Sequence, residues 1–450
     1  MSADPRAQTR RRDLTAPLRA LWEHSETHPR PWLWGTLAFG LAFRAALFAI
    51  KGVSGEHPRT LDVARNLASG QGLHVCNQYF PFCGPGNDAT AQVGPVPAGV
   101  FAAALRVLGE SAGLTAVVVL QMGLGLLTTL CVYALARRLL GSARSALLAA
   151  LLCASYPPLA QLELYPREEP LFTVSLVGAT LALVAALRSG APLWSGLAGA
   201  GFGVASLCRF AIVYFPLLLV PCLPLLAAGS ARRRASCALA FALCFAIVMA
   251  PWVWRNQREL GAFVPGGTLM GYNLYRHNHI LASDDYLRYV QGEEGELAVR
   301  ALLARRTDLR GDENEAQMDR VYREEAAVII RAYPLRYAAL SAHRLVALFT
   351  DYGVNPTRLP PFWWIVGLEN LVVVALALAA ALRRRLREPR ALLALLLLLG
   401  YYTAGHVVVN ARLRYLAAVM PLFMVLAADA LAALGSAALG RRDQASSMRS

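Results

Sequence analysis

Apolar runs separated by short arginine-rich links constrain this chain more than any other feature. Leu114–Leu135, Leu171–Leu187, Ser236–Val253 and Ala391–Gly400 are dense enough to span, or nearly span, a bilayer, which takes about 20 residues. The 450 residues are 56% hydrophobic and 16% charged, with mean hydropathy +0.42. A soluble domain is closer to about a quarter charged. The net charge of +15 would point to nucleic acid in a soluble protein. Here the arginines crowd the ends of apolar runs, where they set orientation, so no nucleic acid is expected as a partner. Lys51 is the only lysine among 44 basic residues, which together with heavy Ala and Leu use suggests a GC-rich bacterial genome.

The threading follows from the charges. The expected spans are Trp32–Ile50, Leu114–Leu135, Ala146–Leu162, Leu171–Leu187, Leu193–Cys208, Ile212–Ala228, Ser236–Val253, Pro361–Leu382, Ala391–Val409 and Leu413–Leu434. With the N-terminus inside, Arg137, Arg138 and Arg144, then Arg188, then Arg232–Arg234, then Arg383–Arg385 with Arg387 and Arg390, all fall in inner loops. Arg441 and Arg442 of the tail join them, as the positive-inside rule requires. Val96–Leu108 and Tyr337–Phe349 are too short to span, and counting either alone would invert everything after it. Both are expected to lie near the outer surface. Met1–Pro31 lacks the apolar core of a cleavable signal and reads as a cytoplasmic tail.

The expected fold class is therefore an all-α polytopic membrane protein with about ten transmembrane helices, juxtamembrane helices and a small external cap. Its parts are a tail (1–31), a transmembrane core (32–253) with a first external loop (51–113), a cap loop (254–360), closing helices (361–435) and a second tail (436–450). The localisation that follows is a bacterial inner membrane, with the acidic residues and both large loops facing the periplasm.

At that outer surface lie Glu56 and the segment QLELYPREEPLF with Glu163, Glu168 and Glu169. Carboxylates from distant segments can supply a general base and its partner. By their local polarity, Glu163 and Glu168 read as solvated loop charges. Arg209, Arg255 and Arg414 sit at outer ends of spans, against the positive-inside rule; the guanidinium fork suits a phosphate. Arg44 is an intramembrane charge that calls for a partner or a function. His277 and His279 form an HNH string without an obvious third ligand, so no metal site is assigned. His406 reads as a packing residue. Six of the eight cysteines fall in or at the ends of apolar spans, whereas Cys76 and Cys83, in HVCNQYFPFCG, sit in the first external loop where a disulfide is expected.

Several stretches together resemble the bacterial GT-C membrane glycosyltransferases, the class related to protein O-mannosyltransferases and the lipid A aminoarabinose transferase. They are EHPRTLDVARNLASGQGL, GPVPAGVF, YPREEPLF, APWVWRNQRELGAFVPGGTLMGYNLYRHN and the ending HVVVNARLRYLAAVMPL. The resemblance implies inverting transfer of a sugar from a polyprenyl-phosphate donor to an acceptor lipid, protein or glycan, without a soluble cofactor, and leaves a divalent cation open. It places the catalytic carboxylates on Glu56 and Glu169 and the phosphate-side arginines on Arg209, Arg255 and Arg414. Three departures stand out: Glu56 where aspartate is commoner, Thr60 where tyrosine is usual, and Phe210 where proline commonly follows the arginine. The competing readings are a lipid or oligosaccharide transporter, which should carry broken helices at mid-membrane, and a non-catalytic assembly subunit.

Overall fold

The computed structural model describes residues 16–53, 59–76, 80–290, 292–350, 363–383 and 389–447. Among these the secondary structure is helical, apart from one isolated bridge between His74 and Ala89. Seven helices are long and apolar enough to cross a membrane: Pro29–Lys51, Glu110–Leu140, Glu169–Ser189, Ala231–Leu260, Trp364–Leu382, Pro389–Val409 and Met420–Leu439. They match seven of the expected spans, and the chain is a multi-pass membrane protein.

The other three expected spans are shorter or broken. Ala146–Leu162 is two helices, Ala143–Ser155 and Pro157–Leu162, parted at Tyr156 because Pro157 disfavours helical geometry in the residue before it. Pro192–Cys208 is one helix of 17 residues. Ile212–Ala228 becomes a chain of short turns, including Phe215–Leu219 and Leu223–Leu226, each with a proline in its first turn.

Apolar burial cannot by itself drive helices together in lipid, so close approach depends on small residues. Pro192–Cys208 lies against Ala231–Leu260 along a glycine stripe. A Cβ on Gly199 would stand 2.1 Å from the Phe241 carbonyl, and one on Gly203 2.8 Å from the Val248 side chain. The same device works at the helix's end, where a Cβ on Gly94 would meet the Leu207 carbonyl at 2.2 Å. Pro95–Leu108 therefore starts directly on the turn that presents Arg209.

Over that end of the bundle lies a helical layer. Met270–Asn278, Gly292–Arg305 and Glu315–Ala332 share a core of Tyr272, Tyr275, Leu302, Met318 and Tyr322, into which Phe80 of the first loop also packs. Buried Glu315 joins loop to cap, accepting from the Thr90 and Thr268 hydroxyls and the Ala91 amide. Cys76 and Cys83 form a disulfide in the first loop. Pro334–Thr350, which contains the expected interfacial Tyr337–Phe349 piece, docks beneath the cap. Its Arg344 is buried, donating to the Asn278 side chain and to the carbonyls of His277 and Val408.

At the opposite end, part of the expected N-terminal tail is a helix, Ala16–Thr27. Its Glu26 accepts from the Ser142 hydroxyl and the Ala143 and Arg144 amides, capping the start of Ala143–Ser155.

Candidate active site

The carboxylate loop is fixed from below by a pair that the sequence did not disclose. Arg44 donates to both oxygens of Glu163, at 2.6 and 3.0 Å, and to the carbonyls of Gly40 and Ala154; both side chains are 0% exposed. Glu163 is thus not a solvated loop charge. Its carboxylate occupies the space that Gly125 leaves open, since a Cβ there would lie 2.1 Å from Oε1. The Gln121 side chain holds the loop a second time, donating to the Arg167 carbonyl at 2.9 Å.

From this anchored loop the chain turns into Glu169–Ser189, with Pro170 in the first turn. Glu169 stands at the helix N-terminus, where the backbone dipole favours an anion. It is fully buried, its Oε1 accepting from Arg209 Nη1 at 3.1 Å while Oε2 has no protein partner. Arg209 is the residue at which Pro192–Cys208 ends, in extended conformation. Glu168 is partly buried rather than solvated: Thr60 donates its hydroxyl to Oε2 at 3.3 Å. Burial pushes the Glu168 carboxyl up, but Arg209 and Arg414 outweigh it and hold the group below the ordinary carboxylate range.

Arg414 arrives on a short helix, Leu413–Ala417, tied to the preceding span by the Tyr402 hydroxyl, which donates to the Tyr415 carbonyl at 2.9 Å. The Tyr415 ring lies between two guanidinium groups, Arg209 at 4.5 Å and Arg414 at 5.1 Å from its centre. Arg414 Nε is buried without a partner. Three segments distant in sequence therefore meet here, leaving an open carboxylate oxygen and an open guanidinium nitrogen.

Arg255 is placed differently. Its guanidinium donates to the carbonyls of Leu73 and Thr90, both at 2.8 Å, and lies over Trp252, so it holds the first loop. No contact brings it to Glu169 or Glu168. Glu56 lies outside the described residues; Thr60, four positions later, is the nearest described link from that segment to the cluster. His277 is buried in the cap beside Tyr289, and among the described residues no group of three or more His, Cys, Asp or Glu could hold a metal ion.

Beside the cluster a cavity of about 500 Å³ opens between bundle and cap, lined by Arg209, Tyr415, His406, Asn273 and Asn410 among others. His406, which the sequence suggests as a packing residue, packs against Tyr402 and Tyr415 and also lines this wall. A second, apolar hollow of about 750 Å³ lies lower, between Pro334–Thr350 and the closing helices, lined by residues such as Phe349, Leu371, Leu399 and Phe423.

This architecture has solved counterparts. The archaeal oligosaccharyltransferase AglB from Archaeoglobus fulgidus, in complex with an inhibitory peptide and a dolichol-phosphate, matches 93% of this chain and 52% of its own, at TM-score 0.56 and 15% identity. The apo form of the Archaeoglobus fulgidus oligosaccharyltransferase matches the same shares at TM-score 0.55 and 14% identity. The fold is of the GT-C kind. This chain spans about half the length of those proteins. ArnT from Cupriavidus metallidurans bound to undecaprenyl phosphate is a more distant likeness, with 15% identity over 91% of this chain and 78% of its own, at TM-score 0.41. Residues 92–254 match the family model described as Dolichyl-phosphate-mannose-protein mannosyltransferase. A search of curated protein sequences finds no match.

Proposed function

We propose that the chain is a membrane glycosyltransferase that takes a sugar from a polyprenyl-phosphate donor and passes it, with inversion, to an acceptor lipid, protein or glycan. The observation that carries this reading is the meeting of Glu169, Arg209 and Arg414 beside a cavity at one end of an apolar bundle. A lipid phosphate reaching that depth would meet two guanidinium groups, and Arg414 Nε is buried there without a protein partner. The apolar hollow among the closing helices suits a polyprenyl chain. The arginine distribution supports an outward orientation of this end, toward the periplasm of a bacterial inner membrane.

In the reaction, an acceptor oxygen attacks the anomeric carbon as the bond from that carbon to the phosphate oxygen breaks. The acceptor's proton passes to a carboxylate, and the electron pair leaves with the lipid phosphate. Glu56 is the proposed base. Glu169 aligns Arg209, which with Arg414 stabilises the charge growing on the departing phosphate. Arg255 acts on the donor indirectly, by holding the first loop against the end of Ala231–Leu260.

The test is transfer from a labelled glycosyl polyprenyl phosphate by purified protein in lipid nanodiscs. Glu56→Gln and Glu169→Gln should each lose at least ~10²-fold in kcat, because glutamine keeps the shape but cannot take a proton or carry the charge. Full activity in both, with insertion verified, would overturn the reading.

A further inference from the structure

The cavity beside Arg209 contains polar groups that the phosphate cluster does not use. His406, on Pro389–Val409, is held between the rings of Tyr402 and Tyr415, at centroid distances of 4.3 and 5.0 Å. Its Nδ1 lies 2.9 Å from the Tyr402 carbonyl. A carbonyl only accepts, so Nδ1 must carry the proton, and the neutral ring then presents Nε2 as a lone-pair acceptor. No protein group donates to Nε2 among the described residues, and the ring lines the cavity. Two side-chain amides, Asn273 from the cap and Asn410 from the helix end, line the same space, and among the described residues neither makes a side-chain hydrogen bond.

We propose that His406 determines sugar specificity: its Nε2 accepts a hydrogen bond from one hydroxyl of the donor's sugar, and Asn273 and Asn410 bind neighbouring hydroxyls. This rests on the proposed function and adds to it the part of the donor that the cavity reads. Three points support the donor's sugar as the occupant. Arg209 and Tyr415 belong both to the phosphate cluster and to the cavity wall, so a group attached to a phosphate at the cluster extends into this space. The apolar hollow that suits the lipid lies elsewhere, among the closing helices. Nε2 offers an acceptor and the amides offer both donors and acceptors, which is the complement of a polyol. The ring is also pre-positioned, because packing between two tyrosines and the bond at Nδ1 fix its orientation before any ligand arrives.

The experiment measures binding of purified wild-type protein, His406→Ala and His406→Gln to mannosyl- and glucosyl-polyprenyl phosphate, to each monodeoxy analogue, and to plain polyprenyl phosphate. His406→Ala should weaken the better-bound intact donor about 10-fold, the worth of one hydrogen bond of about 1.4 kcal/mol. It should leave plain polyprenyl phosphate unchanged, which also shows that the variant is folded. One monodeoxy analogue should bind wild type as weakly as the intact donor binds His406→Ala, and His406→Ala should no longer tell the two apart. His406→Gln, which restores an acceptor, should recover part of the loss. Equal weakening of plain lipid phosphate, or continued discrimination by His406→Ala against every monodeoxy analogue, would overturn the assignment. If wild type binds plain polyprenyl phosphate but no glycosylated form, the proposed function fails first and this inference falls with it.

Discussion

Glu163→Ala should be among the most damaging single substitutions in this protein, although the residue sits in a segment whose sequence looks like a solvated loop. The magnitude follows from the geometry. Glu163 accepts two charge-assisted bonds from Arg44, and both residues are 0% exposed, so truncating the carboxylate leaves a guanidinium buried without its counter-charge. Removing one member of a buried pair costs about 3–5 kcal/mol. Two lost bonds to a charged group, at about 1.5–3 kcal/mol each, give a similar figure. Replacing both residues by methionine removes the charges and keeps much of the volume, so Arg44→Met with Glu163→Met should cost far less than either single change. The assay is a double-mutant cycle on unfolding in mixed detergent micelles, with a coupling energy of about 3 kcal/mol expected. A single-variant cost under about 0.5 kcal/mol, or additive singles, would show that the pair does not hold the loop.

Other expectations follow from the same structure. Gly125→Ala should destabilise the protein nearly as much as loss of the pair, because its Cβ would lie 2.1 Å from Glu163 Oε1; a wild-type unfolding midpoint would contradict this. Arg255→Ala should raise hydrogen exchange between residues 73 and 92 and weaken donor binding less than Arg414→Ala does; equal weakening would return Arg255 to the phosphate cluster. Serine at Cys76 and Cys83 should loosen the first loop without removing a group from the Glu169 cluster, so activity at low temperature should persist while thermal tolerance falls. Tags at Ser230 and at the C-terminus should report the cytoplasm, and one at Glu293 the periplasm; a cytoplasmic Glu293 would invert the threading.

The fold was legible where one variable decided it. Long apolar runs and the side on which arginines cluster gave the spans. Two of them are broken by prolines, Pro157 and those between Phe215 and Leu226, which apolar density alone does not register. Of the site, Glu169, Arg209 and Arg414 could be grouped because all sit at ends of apolar runs on one side. What could not be read was pairing across distance. Arg44 and Glu163 are 119 positions apart, and only a glycine on a third helix makes room for their bond. Glu163 and Glu168 share a polar segment, yet one turns into the bundle and the other lies beside Arg209 and Arg414; local composition does not encode that choice. Arg255 has the terminal position expected of an anion ligand, but backbone carbonyls of a folded loop occupy it, and such carbonyls leave no sequence signature.

The two charged clusters also bear on whether the chain transports or transfers. A transporter needs polar groups within the membrane that are open to a passing solute, commonly on broken helices. The buried ion pair of Arg44 with Glu163 is closed: every guanidinium nitrogen donates, both carboxylate oxygens accept, and the surrounding helices exclude solvent. The pair lies at a broken helix, with Arg44 donating to the Ala154 carbonyl and Glu163 directly following Pro157–Leu162. Tyr156, where Ala143–Ser155 gives way to Pro157–Leu162, donates its hydroxyl to Asn370 at 2.8 Å, so that break too is satisfied internally. The unpartnered charged atoms of the site, Glu169 Oε2 and Arg414 Nε, lie instead beside a cavity under the cap. A closed ion pair inside and unpartnered charged atoms at one end favour chemistry on a lipid-held substrate over passage of a solute, so a solute-flux assay in vesicles should give no signal above empty vesicles where the transfer assay does.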